Sequence, residues 1–229
     1  MPTEAPARAD VLRFTRGERA VHWATAVLVL VGMATAAVLY LGALAVAVGH
    51  RQIVEAIHVY CGYALPVPML AGLGLRAYRV DARRLNRFTP DDWRWLRSRR
   101  RRDGDIPVGK FNAGQKLNAA ASAAAILILF GTGILMHFTH LADVAYRTGA
   151  TFVHDWVALA LGITVLGHIS YALRDAESRR GMRTGRVHAT WARYEHGAWF
   201  AEIAERTQIA QGGEGAEGGL TPEPAHRRR

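Results

Sequence analysis

Four stretches of this chain stay apolar for more than twenty residues, and the charged residues collect between them. The first, about 20–42 (AVHWATAVLVLVGMATAAVLYLG), holds no Lys, Arg, Asp or Glu. The second, about 54–78, holds Glu55 and Arg76 only near its two ends. The third and fourth cover about 116–138 and 151–173. At 1.5 Å per residue each block is long enough to cross a hydrocarbon core of about 30 Å as a helix. A water-soluble bundle would need polar positions recurring along an outer helical face, and these blocks show no such face. The pattern therefore predicts an all-α, integral membrane four-helix bundle. Pro66 and Pro68 fall inside the second block and predict a kink there. The first block follows a charged stretch and is too long for a cleaved signal segment, so it reads as a retained span.

Composition alone misleads, because 29 Lys+Arg against 19 Asp+Glu over 229 residues gives a formal charge of +10, the balance of a nucleic-acid binder. The placement of the charge argues for a membrane. Residues 1–19 carry Arg8, Arg13, Arg16 and Arg19. The segment 79–114 carries eleven Lys and Arg, including Arg99–Arg102, and the tail from Arg174 carries ten. The short connectors 43–53 and 139–150 carry only Arg51 and Arg147. By the positive-inside rule both termini and the long middle segment are cytoplasmic. The arginine run reads as a solvated loop beside anionic lipid. The chain divides into a cytoplasmic segment 1–19, a transmembrane domain 20–174, an interfacial extension 175–205, and a Gly/Glu/Pro-rich tail 206–229 expected to be disordered. The predicted location is a bacterial cytoplasmic (inner) membrane, crossed several times, with no nucleic-acid partner.

One cysteine, Cys61, excludes a disulfide framework and any Cys-ligated zinc or iron–sulfur site, and it reads as a small packing residue. The ten histidines are the remaining soft ligands. Four lie within the blocks, where a polar group is costly and marks function. Topology puts His22 and His168 near the cytoplasmic face, and His58 and His154 near the outer face. His154 and His168 are fourteen residues apart, which is about 1400° of helix, so both project from nearly one face about 21 Å apart. Matching by depth pairs His22 with His168 and His58 with His154. That arrangement suits two b-type haems stacked across a bilayer, each between two imidazoles. Zinc would want three or four ligands at a single depth. Small residues (Gly62, Gly72, Gly131, Gly133, Gly162, Gly167) would let helices and macrocycles approach closely. His50, His137 and His140 lie in or beside the outer connectors and His188, His196 and His226 in the tail, so none of these reads as a ligand.

Electrons reaching an inner haem need an acceptor, and a lipid-soluble quinone is the natural one. GKFNAGQKLN (109–118) leads into the third block at the depth of His22 and His168. Asn112, Gln115 and the backbone at Gly114 can hydrogen-bond a quinone carbonyl, with Lys110 or Lys116 attracting protons. Equally, Asn112 can cap a helix whose first turn contains Gln115.

RFTRGERAVHW, IHVYCGY, KFNAGQKLN, VHDW and GHISYA together resemble the cytochrome b (gamma) subunit of membrane-bound respiratory formate dehydrogenases, over roughly residues 11–205. The tail segment GRVHATWARYEHGAW is similar to that family's extension. The resemblance implies a diheme, quinone-reducing subunit with His58 and His154 on the outer haem and His22 and His168 on the inner one. It implies a quinone site at Asn112, Gly114 and Gln115 with His168 adjacent, and menaquinone or ubiquinone as acceptor. It also implies an iron–sulfur beta subunit and a molybdenum or tungsten catalytic alpha subunit as partners. This chain would be the electron exit and would not itself oxidise formate. The rival readings are a sister cytochrome b of a nickel–iron hydrogenase, and a haem-free transporter or scaffold.

Overall fold

The computed structural model describes residues 10–99, 103 and 105–217. In chain order the elements are β1 (Asp10–Leu12), α1 (Arg16–Tyr40), α2 (Gly42–Val48), α3 (Arg51–Ala64), α4 (Val67–Gly72), α5 (Arg76–Asn86), α6 (Pro90–Arg97), α7 (Ala113–His137), α8 (Val144–Arg174), α9 (Ala176–Thr184), β2 (Arg186–His188), α10 (Ala189–Glu195) and α11 (Gly197–Glu217). Four helical segments are long and apolar enough to span a membrane: Arg16–Tyr40, Arg51–Gly72, Ala113–His137 and Val144–Arg174. Their outward faces carry exposed Leu30, Leu127, Ile163 and Leu166, as a lipid-facing surface requires. At the centre, Val29, Leu65, Ile126 and Leu161 form one buried cluster, a residue from each span, with Met33, Met69, Leu129 and Val165 packed against it.

Boundaries differ from the hydropathy pattern at definite places. The second span, interrupted at Pro66 between α3 and α4, ends at Gly72 instead of reaching Tyr78, because the backbone leaves the helix over residues 73–75 and Arg76 and Tyr78 belong to α5. The fourth begins at Val144, ahead of the apolar block, on about two extra turns headed by Asp143. The basic segment 79–114 contains most of α5 and all of α6. The N-terminus of α6 is fixed by a capping box in which Thr89 and Asp92 bond each other's backbone N–H. Residues 206–217, expected to lack regular structure, continue α11 outward from a packed first turn at Trp199 and Phe200. The rest of that tail and most of the Arg99–Arg102 run lie outside the described residues.

At the basic end the tail folds back on the N-terminal segment. β1 and β2 pair antiparallel, Val11 opposite Val187. Val187, Ala192 and Trp199 make a second small core with Val11, Trp191, Phe200 and Ile203. Gly185 carries this junction: its carbonyl accepts from Arg13 N (2.8 Å) and Phe14 N (3.1 Å). Its φ of +87° and a Cβ that would strike the Phe14 carbonyl both require glycine.

Candidate functional site: two imidazole pairs and a capped basic end

The depth pairing read from the sequence is the pairing the fold makes. His22 and His168 face each other with ring centroids 6.2 Å apart, and so do His58 and His154. Two metal–nitrogen bonds of about 2 Å, each extended by roughly 1 Å to the ring centre, add to roughly 6 Å. The separation suits a single iron held between each pair. Leu161 lies midway between His154 and His168 along α8, so the apolar cluster forms an insulating layer between the two pairs.

The outer pair is oriented by threonines. Thr35 Oγ1 donates to Val31 O (2.8 Å) and accepts from His58 Nδ1–H (3.0 Å), whose other neighbour is the Gly32 carbonyl at 3.2 Å. Thr132 Oγ1 donates to Ile128 O (2.7 Å) and accepts from His154 Nδ1–H (2.9 Å). With the hydroxyl protons committed to carbonyls one turn back, each imidazole carries its proton on Nδ1 and leaves Nε2 as a lone pair for a metal. The glycines divide. A Cβ at Gly32, Gly62, Gly131 or Gly167 would meet nothing within 4 Å, the open flank a flat macrocycle needs. At Gly133 it would meet the His154 ring at 3.7 Å. Gly162 instead packs on Met33 and Gly72 on Tyr78, so these two serve helix contacts. The donor set, its spacing and the open flanks fit a b-type haem at each pair. Among the described residues no group of three or more His, Cys, Asp or Glu could hold a metal ion, so a zinc cluster has no place there.

At the start of α7 the structure keeps both roles of the motif compatible. Asn112 Oδ1 accepts from Gln115 N (2.9 Å) and Gln115 Oε1 accepts from Asn112 N (3.0 Å), a reciprocal cap. This spends both amide oxygens and leaves both NH2 ends without a hydrogen bond among the described residues, two oriented donors. Gly114 lies under Trp95, where an added Cβ would stand 3.3 Å from the ring. The two motif lysines are in ion pairs. Lys116 Nζ donates to Asp92 Oδ2 (2.6 Å) and Arg87 O (3.0 Å). Burial would raise the Asp92 carboxyl, but the hydrogen bonds from Lys116 and Thr89 outweigh it and hold it below its ordinary value. Lys110 Nζ bonds Asp81 Oδ2 and lies 3.7 Å from Glu18 Oε1.

No local pattern singles out Arg13 or His196. Arg13 is only 4% exposed. Its Nη2 donates to Lys110 O and to His196 Nε2, each at 3.0 Å, and its guanidinium lies 4.8 Å from the Trp191 ring centre. His196 Nδ1–H donates to Gly109 O at 2.7 Å. Burial first, then Arg13, pushes the His196 imidazole down to about 3, so it is neutral. Burial likewise pulls Arg13 down to about 10. The N-terminal segment through Arg13 and the tail through His196 hold the backbone at 109–110 that leads into the Asn112 cap.

A multi-pass helical membrane protein with two facing imidazole pairs at opposite depths is of the cytochrome b class. The sequence model of prokaryotic cytochrome b561 matches residues 13–185, and this chain belongs to that family, whose members bind haem b. It is 27% identical over 216 residues to the formate dehydrogenase, cytochrome b556(fdo) subunit, of Escherichia coli strain K12, covering 88% of this chain and 97% of that protein. It is 28% identical over 111 residues to the formate dehydrogenase, nitrate-inducible, cytochrome b556(Fdn) subunit of the same organism, covering 47% of this chain and 51% of that one. A formate dehydrogenase, cytochrome b556 subunit of Haemophilus influenzae is 33% identical over 97 residues, 41% of each chain. The likeness to formate dehydrogenase cytochrome b subunits read from the motifs agrees with these relatives.

Proposed function

We propose that this chain is the membrane-anchoring diheme cytochrome b subunit of a formate dehydrogenase, passing electrons through an outer and an inner haem b to menaquinone or ubiquinone. His58 and His154 hold the outer haem, and His22 and His168 the inner one. A haem held by two imidazoles would supply one-electron transfer at each pair. The chain's residues fix ring orientation, keep water out and separate the two centres by about 21 Å along α8. Asn112, Gln115 and the backbone at Gly114, with His168 adjacent, hold the quinone by their spare N–H donors. An iron–sulfur beta subunit, fed by a molybdenum or tungsten alpha subunit, delivers electrons at the outer face. Both termini face the cytoplasm of a bacterium, as the basic end suggests.

The observation that carries this reading is the pair of 6.2 Å imidazole separations at two depths. The relatives' names favour formate dehydrogenase over a hydrogenase as the upstream enzyme. The test is a reduced-minus-oxidised spectrum with pyridine haemochromogen quantitation on purified protein. About two haems b per chain are expected in the wild type and about one in His154→Ala. Well-folded protein without haem overturns the electron-transfer reading. Formate-driven haem reduction in native membranes then identifies the donor.

A further inference from the structure

The two buried lysine–carboxylate contacts at the basic end differ in one respect. Lys116 meets one carboxylate, Asp92, whose Oδ2 also accepts from Thr89 N and Oγ1. Lys110 meets two. Asp81 Oδ2 accepts from its ammonium, while Glu18 Oε1 stands 3.7 Å from it, and among the described residues a proton on Asp81 is its one route to a hydrogen bond. The three side chains are only 10%, 10% and 7% exposed. Glu18 Oε2 is already engaged by Thr15 N and Oγ1, both at 2.7 Å.

Two buried carboxylates share one hydrogen-bonding ammonium, with Arg13 acting on Asp81 through charge alone, and the orphan oxygen of Glu18 is costly. One proton shared between the carboxyls gives that oxygen a donor and lowers the buried charge. Burial first, then the hydrogen bond with Glu18, pushes Asp81 up to about 6 against the pull of Lys110. The other charged and titratable groups around it are Arg13 from the N-terminal segment, Asp175 at the start of α9 and Glu195 from α10, both acting on Arg13, and the neutral His196.

The position gives this proton a use. Glu18 lies one turn before His22 on α1, about 6 Å along the axis. Lys110 is two residues ahead of Asn112, and its ammonium lies over the Phe14 and Phe111 rings at 5.0 and 5.6 Å. The carboxyl pair thus occupies the layer between the basic surface, the inner imidazole pair and the capped start of α7.

Resting on the quinone site proposed above, we propose that Glu18, Asp81 and Lys110 form the proton relay that serves quinone reduction. Quinone plus two electrons and two protons gives quinol, with two new O–H bonds. The electrons arrive one at a time from two oxidations of ferrous to ferric haem. Each proton leaves the Glu18–Asp81 pair by way of Lys110, and the pair reloads from water at the basic surface. Asp92–Lys116 has no spare proton and takes no part.

The experiment uses full-length protein in lipid nanodiscs, wild type, Asp81→Asn and Glu18→Gln. Infrared spectra titrated across pH 5–7 read a protonated carboxyl C=O band that shifts in D2O. The band should titrate near pH 6, vanish in Asp81→Asn, and move on labelling aspartate with ¹³C in the wild type, which needs no variant to fold. Its absence from the labelled wild type overturns the shared proton. In stopped flow, dithionite-reduced protein is mixed with a short-chain ubiquinone or naphthoquinone. Haem oxidation should slow about 100-fold in Asp81→Asn, the usual weight of a positioned acid–base group, and should lose its inflection near pH 6. Equal rates and profiles in wild type and variants overturn the relay and leave the function intact. A wild type that never passes electrons to either quinone overturns the function and this inference with it, even where the infrared band is present.

Discussion

The two imidazole pairs have the same 6.2 Å separation and opposite surroundings. The outer pair is pinned by hydroxyls of the neighbouring helices, Thr35 and Thr132, and lies beside short connectors with a single arginine each. Neither His22 nor His168 makes a side-chain hydrogen bond to the described residues. Their end of the bundle is instead closed by a folded cap of strand, helix and tail, with Arg13, His196, Lys110, Glu18 and Asp81 buried in it. One end orients its imidazoles through threonine hydroxyls, and its acidic groups, Glu55, Asp143 and Asp155, are exposed. The other has titratable groups in a layer that a folded tail keeps closed. That is the division expected where one end handles electrons alone and the other handles electrons together with protons.

Acid should break the capped end and spare the other, with the largest effect. His196 is held neutral against Arg13, its value pushed down to about 3 from 6.5. A depressed value in the fold means stability that is present above 6.5 and lost as pH falls toward 3. The loss amounts to a few kcal/mol at the acid limit, from about 1.4 kcal/mol per unit. Hydrogen exchange of residues 186–203, corrected for intrinsic rates, should rise between pH 6.5 and 4.5, while amides around His58 and His154 stay protected. Uniform protection at both ends across that range would remove the distinction. Asp81 has the opposite sign: its raised value stabilises below about 3.8 and that contribution fades as pH climbs through 6.

The legibility of the sequence follows the same division. Apolar block length and the fourteen-residue spacing on α8 are local properties, so the four spans and the depth pairing of His22, His58, His154 and His168 could be read directly. Pro66 announced the break between α3 and α4. What could not be read depends on register between distant segments. Thr35 and Thr132 look like ordinary membrane threonines bonded one turn back, and only the packing of α1 on α3 and of α7 on α8 turns them toward imidazoles. Glu18 is visible as half of a capping box, but nothing local joins it to Asp81. The strand pairing of Asp10–Leu12 with Arg186–His188 has no periodic signal in three residues.

The threonines test the outer end with an intermediate effect. Thr132→Val leaves His154 the Leu129 carbonyl, and Thr35→Val leaves His58 Nδ1 the Gly32 carbonyl at 3.2 Å. Lost orienting partners typically cost 10–100-fold in metal affinity. With a backbone acceptor remaining in each case, both variants should fall near the lower figure, read as haem transfer to apomyoglobin. The inner haem should be unchanged in both. Equal losses from the two haems would mean that the threonines support the bundle as a whole.

The smallest effect is the most discriminating for the capped end. Gly114 lies in the first turn of α7, where alanine would gain roughly 0.5–1 kcal/mol of backbone freedom no longer lost on folding. Against that, the new methyl stands 3.3 Å from the Trp95 ring and 3.4 Å from Asn112 Oδ1, so α6 must yield by a few tenths of an ångström. Gain and crowding nearly cancel, and Gly114→Ala should alter stability by less than about 1 kcal/mol, with both haems retained. Its kinetics then separate two reasons for a glycine. If quinone lies against the backbone at 114, the methyl intrudes on it, and the KM for a short-chain quinone rises while kcat changes little. If KM is unchanged, the glycine is there to seat Trp95, and the quinone contacts must come from the amide ends of Asn112 and Gln115 alone.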